Sequence, residues 1–139
     1  MGISMKEDCI FCKLANGIIP TKSIYEDDDF KIIMDASPAT RGHALIVPKE
    51  HNENIYDLPD GTAEKVFKLA RDQAARIKET LGADGFNIVQ NNGEIAGQTV
   101  FHFHMHLIPR YKDDGQLLGW KHGLVSEADI DKAYEKLKG

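Results

Sequence analysis

At 139 residues, 42% of them hydrophobic, the chain is long enough for one compact domain burying roughly 65–70% of its unfolded surface, and too short for two. Its 17 Lys and Arg against 22 Asp and Glu leave a net charge of −5, with no basic run to track a polymeric nucleic acid, so an anionic ligand would have to be drawn by local imidazoles and backbone amides. No apolar stretch approaches the roughly 20 residues of a membrane span, MGISMKED lacks a signal-peptide core, and Gly2 lacks the Ser or Thr that a myristoylation site wants where Lys6 stands; a cytoplasmic protein with no membrane partner is expected.

In chain order, CIFCKLANG (9–17) sets Ile10, Phe11 and Leu14 at near-helical spacing with Gly17 to stop it, which predicts a short helix. SIYED and FKIIMDA, rich in β-branched and aromatic residues, flank an acidic turn at Asp27, Asp28 and Asp29 and read as a hairpin. HALIVPK is a third strand, opened by Gly42 and closed by Pro48. From Thr62 to Leu81 the period changes: Val66, Leu69, Ala70, Ala74, Ile77 and Leu81 recur at three and four, and Gly82 stands ready to end a long helix. GFNIVQN is a fourth strand and, past the loop NGEIAG, TVFHFHMHLIPR (99–110) a fifth. The tail pairs Ser126 with Asp129 as a cap and puts Ile130, Ala133, Tyr134 and Leu137 on one helical face. With no internal repeat, residues 1–139 read as a single α+β domain: a five-stranded antiparallel sheet, a long helix, a short N-terminal helix and a C-terminal helical tail.

In an extended strand His102, His104 and His106 share one face, while Phe101, Phe103, Met105 and Leu107 take the other and pack on the core. A solvated face is one reading, although imidazoles about 7 Å apart disfavour each other's protonation and accumulate for no gain in stability. A catalytic metal site is another, since His-x-His can place two nitrogens on one zinc. Covalent catalysis is the third: an imidazole with a pKa of ~6.5 is a neutral nucleophile near neutral pH, provided its other nitrogen is fixed as a donor, typically to a backbone carbonyl. His104, central in the row, is best placed for that. Phosphoryl oxygens would need donors, which Asn91, Gln98, Thr99 and the amides around Gly97 are positioned in sequence to supply. Cys9 and Cys12 read as a redox pair, two buried thiols, or half of a zinc site assembled across the fold.

GQTVFHFHMHLIPR closely resembles the histidine triad (HIT) signature. DASPATRGHALIVPKEH (35–51) and CIFCKLANGIIPTKSIYEDD (9–28) resemble the same family's upstream segments, in the same order. The likeness spans Cys9 to Arg110; the tail 111–139 carries no signature. It implies a HIT-like, usually homodimeric domain that hydrolyses nucleoside 5′-phosphoramidates or related phosphates of a purine (AMP- or GMP-like) nucleotide, with His104 as the nucleophile forming a nucleotidyl-histidine adduct. His106 would contact the phosphate and assist the leaving group, and His43 would support the nucleophile. Asp35 would meet the ribose hydroxyls, with Ile10, Phe11, Leu14, Ile19 and Ile33 forming the base pocket. The family's transferase branch carries Gln at the third triad position; His106 there points to hydrolysis. In bacterial-type members with such cysteines, the resemblance implies a structural zinc on Cys9, Cys12, His51 and His102, and no organic cofactor. Two other classes share these motifs: a nucleotide-binding adaptor or sensor with incidental turnover, and a metal-dependent hydrolase using the triad as zinc ligands.

Overall fold

The computed structural model describes residues 5–139; Gly2 and the first residues of MGISMKED lie outside that range. Helix α1 spans Ile10–Ala15 and strands β1 and β2 span Ser23–Glu26 and Phe30–Met34. Strand β3 is Ala44–Pro48, helix α2 Asp60–Leu81, strand β4 Gly85–Val89, strand β5 Met105–Arg110 and helix α3 Glu127–Leu137. The strands form one sheet in the order β1-β2-β3-β5-β4 with every pairing antiparallel, the predicted α+β architecture. Local chemistry accounts for the boundaries. The β1–β2 turn closes because Asp27 Oδ1 accepts the amides of Asp29 and Phe30 at 2.8 and 2.7 Å. Helix α2 ends where Gly82 adopts φ +67°, a left-handed conformation that costs a residue without Cβ nothing.

Alternation along the central strands sorts the side chains into two layers. Phe30 and Ile32 of β2, Ala44 and Ile46 of β3, and Met105 and Leu107 of β5 pack with Phe103 under Val66, Ala70 and Ile77 of α2. Ile33, Leu45 and Val47 face the opposite way, under Ala15, Phe11 and Leu14 of the α1 segment. His106 pairs with Leu45 across the β3–β5 ladder and so shares this second face. At about 1.5–3 kcal/mol per buried large side chain, the α2 layer is the larger source of stability, and it leaves the α1 face free to carry a cavity.

The fifth strand departs from expectation. Regular pairing begins only at Met105, so His106 alone of the three histidines is a ladder residue, and His102 and His104 lie in the extended stretch before it. Pro48 has no N–H with which to continue the β3–β5 ladder, its carbonyl lies 2.8 Å from His102 Nε2, and Phe103 N–H donates instead to Asn52 O at 2.7 Å. The predicted division into a packed face and a displayed row holds for Phe103, Met105 and Leu107, which lie in the core, and fails for Phe101 and for the displayed histidines. His102 and His104 are buried at 0% and 8% exposure, whereas Phe101, expected in the core, is 46% exposed.

Beyond β5, Arg110 grips Asp114 through Nε and Nη2 at 2.8 and 3.1 Å and reaches Asn87 Oδ1 at 2.9 Å. Gln116 Nε2 donates to Ala39 O at 2.8 Å, tying the start of the tail to the loop before β3. Every residue from Gly115 to Gly139 is exposed, α3 included. Among the described residues no helix is long and apolar enough to cross a membrane. Ile46, fully buried at the centre of the α2 layer, gives a direct check on this packing: Ile46→Ala is expected to destabilise by about 2–5 kcal/mol, read as a lower urea midpoint at unchanged m-value.

Candidate active site and a second histidine cluster

His104 Nδ1 lies 2.7 Å from the carbonyl oxygen of His102. A carbonyl only accepts, so Nδ1 carries the ring hydrogen and Nε2 keeps its lone pair. Phe11 of α1 stands edge-on to this ring, 4.8 Å between centroids at 88°. Burial pushes His104 below the usual imidazole range, against the opposing pull of the His102 carbonyl and Asp35, which keeps the ring neutral near pH 7.

A second chain of hydrogen bonds sets the other two tautomers. Ala39 N–H donates to His43 Nδ1 at 2.9 Å, so neutral His43 must carry its hydrogen on Nε2. That nitrogen stands 2.9 Å from His106 Nδ1, which therefore accepts, and the His106 hydrogen is left on Nε2. His106 thus presents a donor beside the lone pair of His104, with the two rings 5.1 Å apart. Asp35 Oδ1 is held by Ser37 N–H at 2.7 Å, while Oδ2 lies 3.4 Å from His43 Nε2 and 4.0 Å from His106 Nδ1. Burial, then the neighbouring His104 and His43, lowers His106 to about 4 despite Asp35, and burial likewise lowers His43. Asp35, His43 and His106 cluster closely enough to suggest metal ligands. The Ala39 amide argues against one: a metal would need a lone pair on His43 Nε2, where this tautomer has its hydrogen.

His104 and His106 open into a cavity of about 310 Å³, walled by Phe11, Leu14, Ile33, Met34 and Leu45 and rimmed by Thr21, Asp35, Ala36, Thr99 and Val100. Of the predicted contact residues, Asp35, Phe11, Leu14, Ile33 and Thr99 meet there; Ile10, Ile19, Asn91 and Gly97 do not line it. Ile10 is 46% exposed on the outer side of α1, facing a neighbouring cavity. The phosphate donors expected around Gly97 need correction, because the loop consumes them itself. Gly97 N–H donates to Glu94 O and Gln98 N–H to Gly93 O, both at 3.0 Å. Gln98 is buried with Oε1 accepting from Gly93 N–H and Nε2 donating to the carbonyls of Glu53 and Val100, so it braces the loop. What the sequence reading missed were chiefly backbone groups, the Ala39 amide and the Pro48 carbonyl, which leave no side-chain signal, together with Thr21, Leu45 and Val100.

Cys9, Cys12, His51 and His102 converge on the far side of Phe11, each offering one ligand atom and all four within 4.8 Å of one another. His102 Nδ1 is 3.4 Å from each sulfur and 3.2 Å from His51 Nδ1, and Cys12 Sγ is 3.3 Å from His51 Nδ1. A tetrahedral zinc with bonds of about 2.3 Å to sulfur and 2.0–2.1 Å to nitrogen would have ligand–ligand edges of roughly 3.3–3.8 Å. The donors fit that shape. His102 Nε2 donates to the Pro48 carbonyl at 2.8 Å, so its Nδ1 lone pair points into the cluster, as a metal-ligating imidazole requires. Burial holds His102 at about 4 and thus neutral. His51 Nε2 is buried without a partner, the one unsatisfied atom on these four side chains.

The family model for the HIT domain matches residues 16–113. An uncharacterized HIT-like protein of Methanocaldococcus jannaschii is 44% identical over 94% of this chain and 99% of its own length. A Saccharomyces cerevisiae protein named adenosine 5′-monophosphoramidase is 38% identical over 89% of this chain and 75% of its own. Among solved structures, a Streptococcus mutans protein superposes with TM-score 0.89 at 38% identity, covering 99% of this chain and 87% of that one. A zinc-bound histidine triad family protein of Mycobacterium smegmatis superposes with TM-score 0.74 at 36% identity, covering 94% and 96%. The chain belongs to the HIT family.

The depressed pKa of His106 has a consequence for stability. Its folded value of about 4 lies below the unfolded value of about 6.5, so between these limits the unfolded chain binds the extra proton and stability falls as pH falls. Lowering the pH from 7 to 5 should cost the wild-type protein on the order of 2 kcal/mol more than His106→Asn, as measured by urea denaturation at both pH values.

Proposed function

We propose that the chain hydrolyses nucleoside 5′-phosphoramidates, or related phosphates of a purine nucleotide, through a nucleotidyl adduct on His104 Nε2. The observation that carries this reading is the 2.7 Å bond from His104 Nδ1 to the His102 carbonyl, which leaves Nε2 as the free lone pair of a neutral imidazole at the cavity. The cavity's size, at the small end of ligand sites, suits a mononucleotide, with the base against Phe11, Leu14, Ile33 and Leu45 and the ribose toward Asp35. The yeast relative's name supports a phosphoramidate substrate class.

In the first step Nε2 attacks phosphorus and the bond from phosphorus to the leaving amine breaks. The bound phosphoryl anion favours a proton on His106, which passes it from Nε2 to the departing nitrogen. Water then attacks phosphorus, the bond to His104 breaks, the nucleoside monophosphate departs, and the proton of the water returns to His106. Whenever His106 is neutral, the His43 Nε2 hydrogen holds it in register. Rapid quench of the protein with an adenosine phosphoramidate should show a mass increase of one adenylyl group mapped to His104. His104→Ala should lose turnover by about 10⁴-fold or more while still binding AMP in calorimetry. Adduct on another residue, or undiminished hydrolysis by the variant, would refute the reading.

Cys9, Cys12, His51 and His102 are the ligands of a structural zinc in this proposal, supported by their spacing and by the zinc-bound relative. When bound, zinc supplies a four-coordinate cross-link between α1 and the residues flanking β3 and β5, and no reacting group. Two reduced cysteines suit the cytoplasm. The working form is a homodimer. Strand β4 is an open sheet edge beside a cavity lined by Ile55, Phe67 and Ile88, each more than a third exposed. The tail adds Leu117, Trp120, Leu124 and Tyr134, exposed on a chain whose 11-residue terminal helix is too short to persist alone. Sedimentation should give a dimer for the wild-type protein and a folded monomer for Ile88→Lys.

A further inference from the structure

The metal cluster and the nucleophile share a residue and a helix. His102 gives its ring to the cluster and its carbonyl to His104. Phe11 sits in sequence between the two cysteines and edge-on to His104. Cys9 caps α1 and Cys12 lies in its first turn, with Cys12 N–H 3.4 Å from Cys9 Sγ. A cavity of about 300 Å³ opens on Cys9 and His51 and shares Thr99 and Val100 with the wall of the 310 Å³ cavity. Cys12 has no exposed surface, so a small oxidant entering there meets Cys9 first.

We propose that Cys9 and Cys12 form a peroxide-oxidisable dithiol whose closure to a disulfide releases the metal and disorganises the nucleotide cavity through α1. The inference rests on the zinc and nucleotide readings above. The Cys9 thiolate attacks one oxygen of hydrogen peroxide, forming S–O and breaking O–O; the hydroxide released takes a proton from solvent and leaves as water. The Cys12 thiolate then attacks the Cys9 sulfur, forming S–S and breaking S–O, and a second hydroxide leaves as water in the same way. Two electrons pass from the sulfurs to peroxide, and zinc, deprived of both thiolates, departs as the dication.

Closure removes the metal cross-link between α1 and the two histidines. A disulfide needs sulfurs about 2.05 Å apart and Cβ atoms about 3.8 Å apart. Cys9 is the N-cap of α1, with extended backbone at φ −95° and ψ 117°, so closure at this end draws the two sulfurs toward each other and away from His51 and His102. With both thiolates and the metal withdrawn from His51 and His102, α1 loses that tie, and Phe11 and Leu14, which it carries, part from His104 and the cavity wall they share. Nucleotide affinity falls because the base loses that wall, and it returns when the dithiol and its metal are restored.

The test uses the full chain as purified. Metal content is measured before treatment. Hydrogen peroxide is then titrated in while zinc release is followed with a chromogenic chelator, the disulfide is mapped by differential alkylation and mass spectrometry, and AMP affinity is read by calorimetry. The expected result is one Cys9–Cys12 disulfide per zinc released, a loss of AMP affinity of about tenfold or more, and recovery after dithiothreitol and zinc. Recovery on dithiothreitol and zinc separates cysteine chemistry from methionine oxidation, because methionine sulfoxide is restored by dedicated reductases and not by dithiothreitol. A fully formed disulfide with unchanged AMP affinity overturns the inference, as does a loss of affinity that dithiothreitol and zinc do not reverse. Absence of zinc before treatment, or of AMP binding by untreated protein, instead identifies failure of the reading beneath it.

Discussion

The hydrogen bond from His102 Nε2 to the Pro48 carbonyl is the constraint on which the site turns. Proline has no amide hydrogen, so the ladder between β3 and β5 stops short, and the Pro48 carbonyl accepts from a ring where a strand neighbour's N–H would otherwise stand. That one bond fixes the His102 tautomer, aims its Nδ1 at two sulfurs, and holds the backbone so that its carbonyl meets His104. A leucine at 102 would fill similar space yet leave the Pro48 carbonyl unpaired in a buried place, at a cost of about 1–3 kcal/mol.

Division of labour between the two sheet faces follows from the same geometry. The α2 face is closely filled by aliphatic and aromatic side chains and carries the stability, so the α1 face is free to hold buried imidazoles and a cavity. Burying neutral histidines costs something as pH falls, since each would rather be protonated in water. The fold offsets this by giving His43, His102 and His104 each a partner on at least one ring nitrogen, most of them backbone groups. Backbone partners hold position more firmly than side chains, and that firmness is what a nucleophile with a fixed tautomer requires.

Much of this was legible in the sequence where a single local rule governed. The period of Val66, Ala70 and Ile77 and the stop at Gly82 specified α2, and the acidic turn at Asp27 specified the β1–β2 hairpin. The alternation of 101–107 misled because it was real but had a second cause. His102 and His104 alternate as strand residues do, yet their partners are a prolyl carbonyl, a cluster of thiols and an aromatic edge rather than a neighbouring strand. Gln98 looked like a phosphate donor because it stands beside the triad, whereas its side chain is committed to two backbone groups of its own loop, Gly93 N–H and Val100 O, and to the carbonyl of Glu53. Neither fact could be read from spacing, because both depend on residues some 45 to 54 positions away. The four-donor cluster was legible only as a resemblance, since Cys9 and His102 are separated by 93 residues and meet only when the sheet has formed.

The electrostatics of the cavity follow from its lining. None of the residues that wall it is Lys or Arg, and Asp35 is its one carboxylate, on a chain of net charge −5. A phosphoryl anion is therefore met by neutral donors and by imidazoles that take up charge only when the anion is present. Such a site gains little from long-range attraction and holds a product monophosphate less tightly than a cluster of guanidinium groups would. In the proposed reaction, its favourable interactions grow where charge develops during bond breaking, at the His106 proton. Neutral buried histidines, costly for stability as pH falls, are in this respect suited to releasing what the site has made.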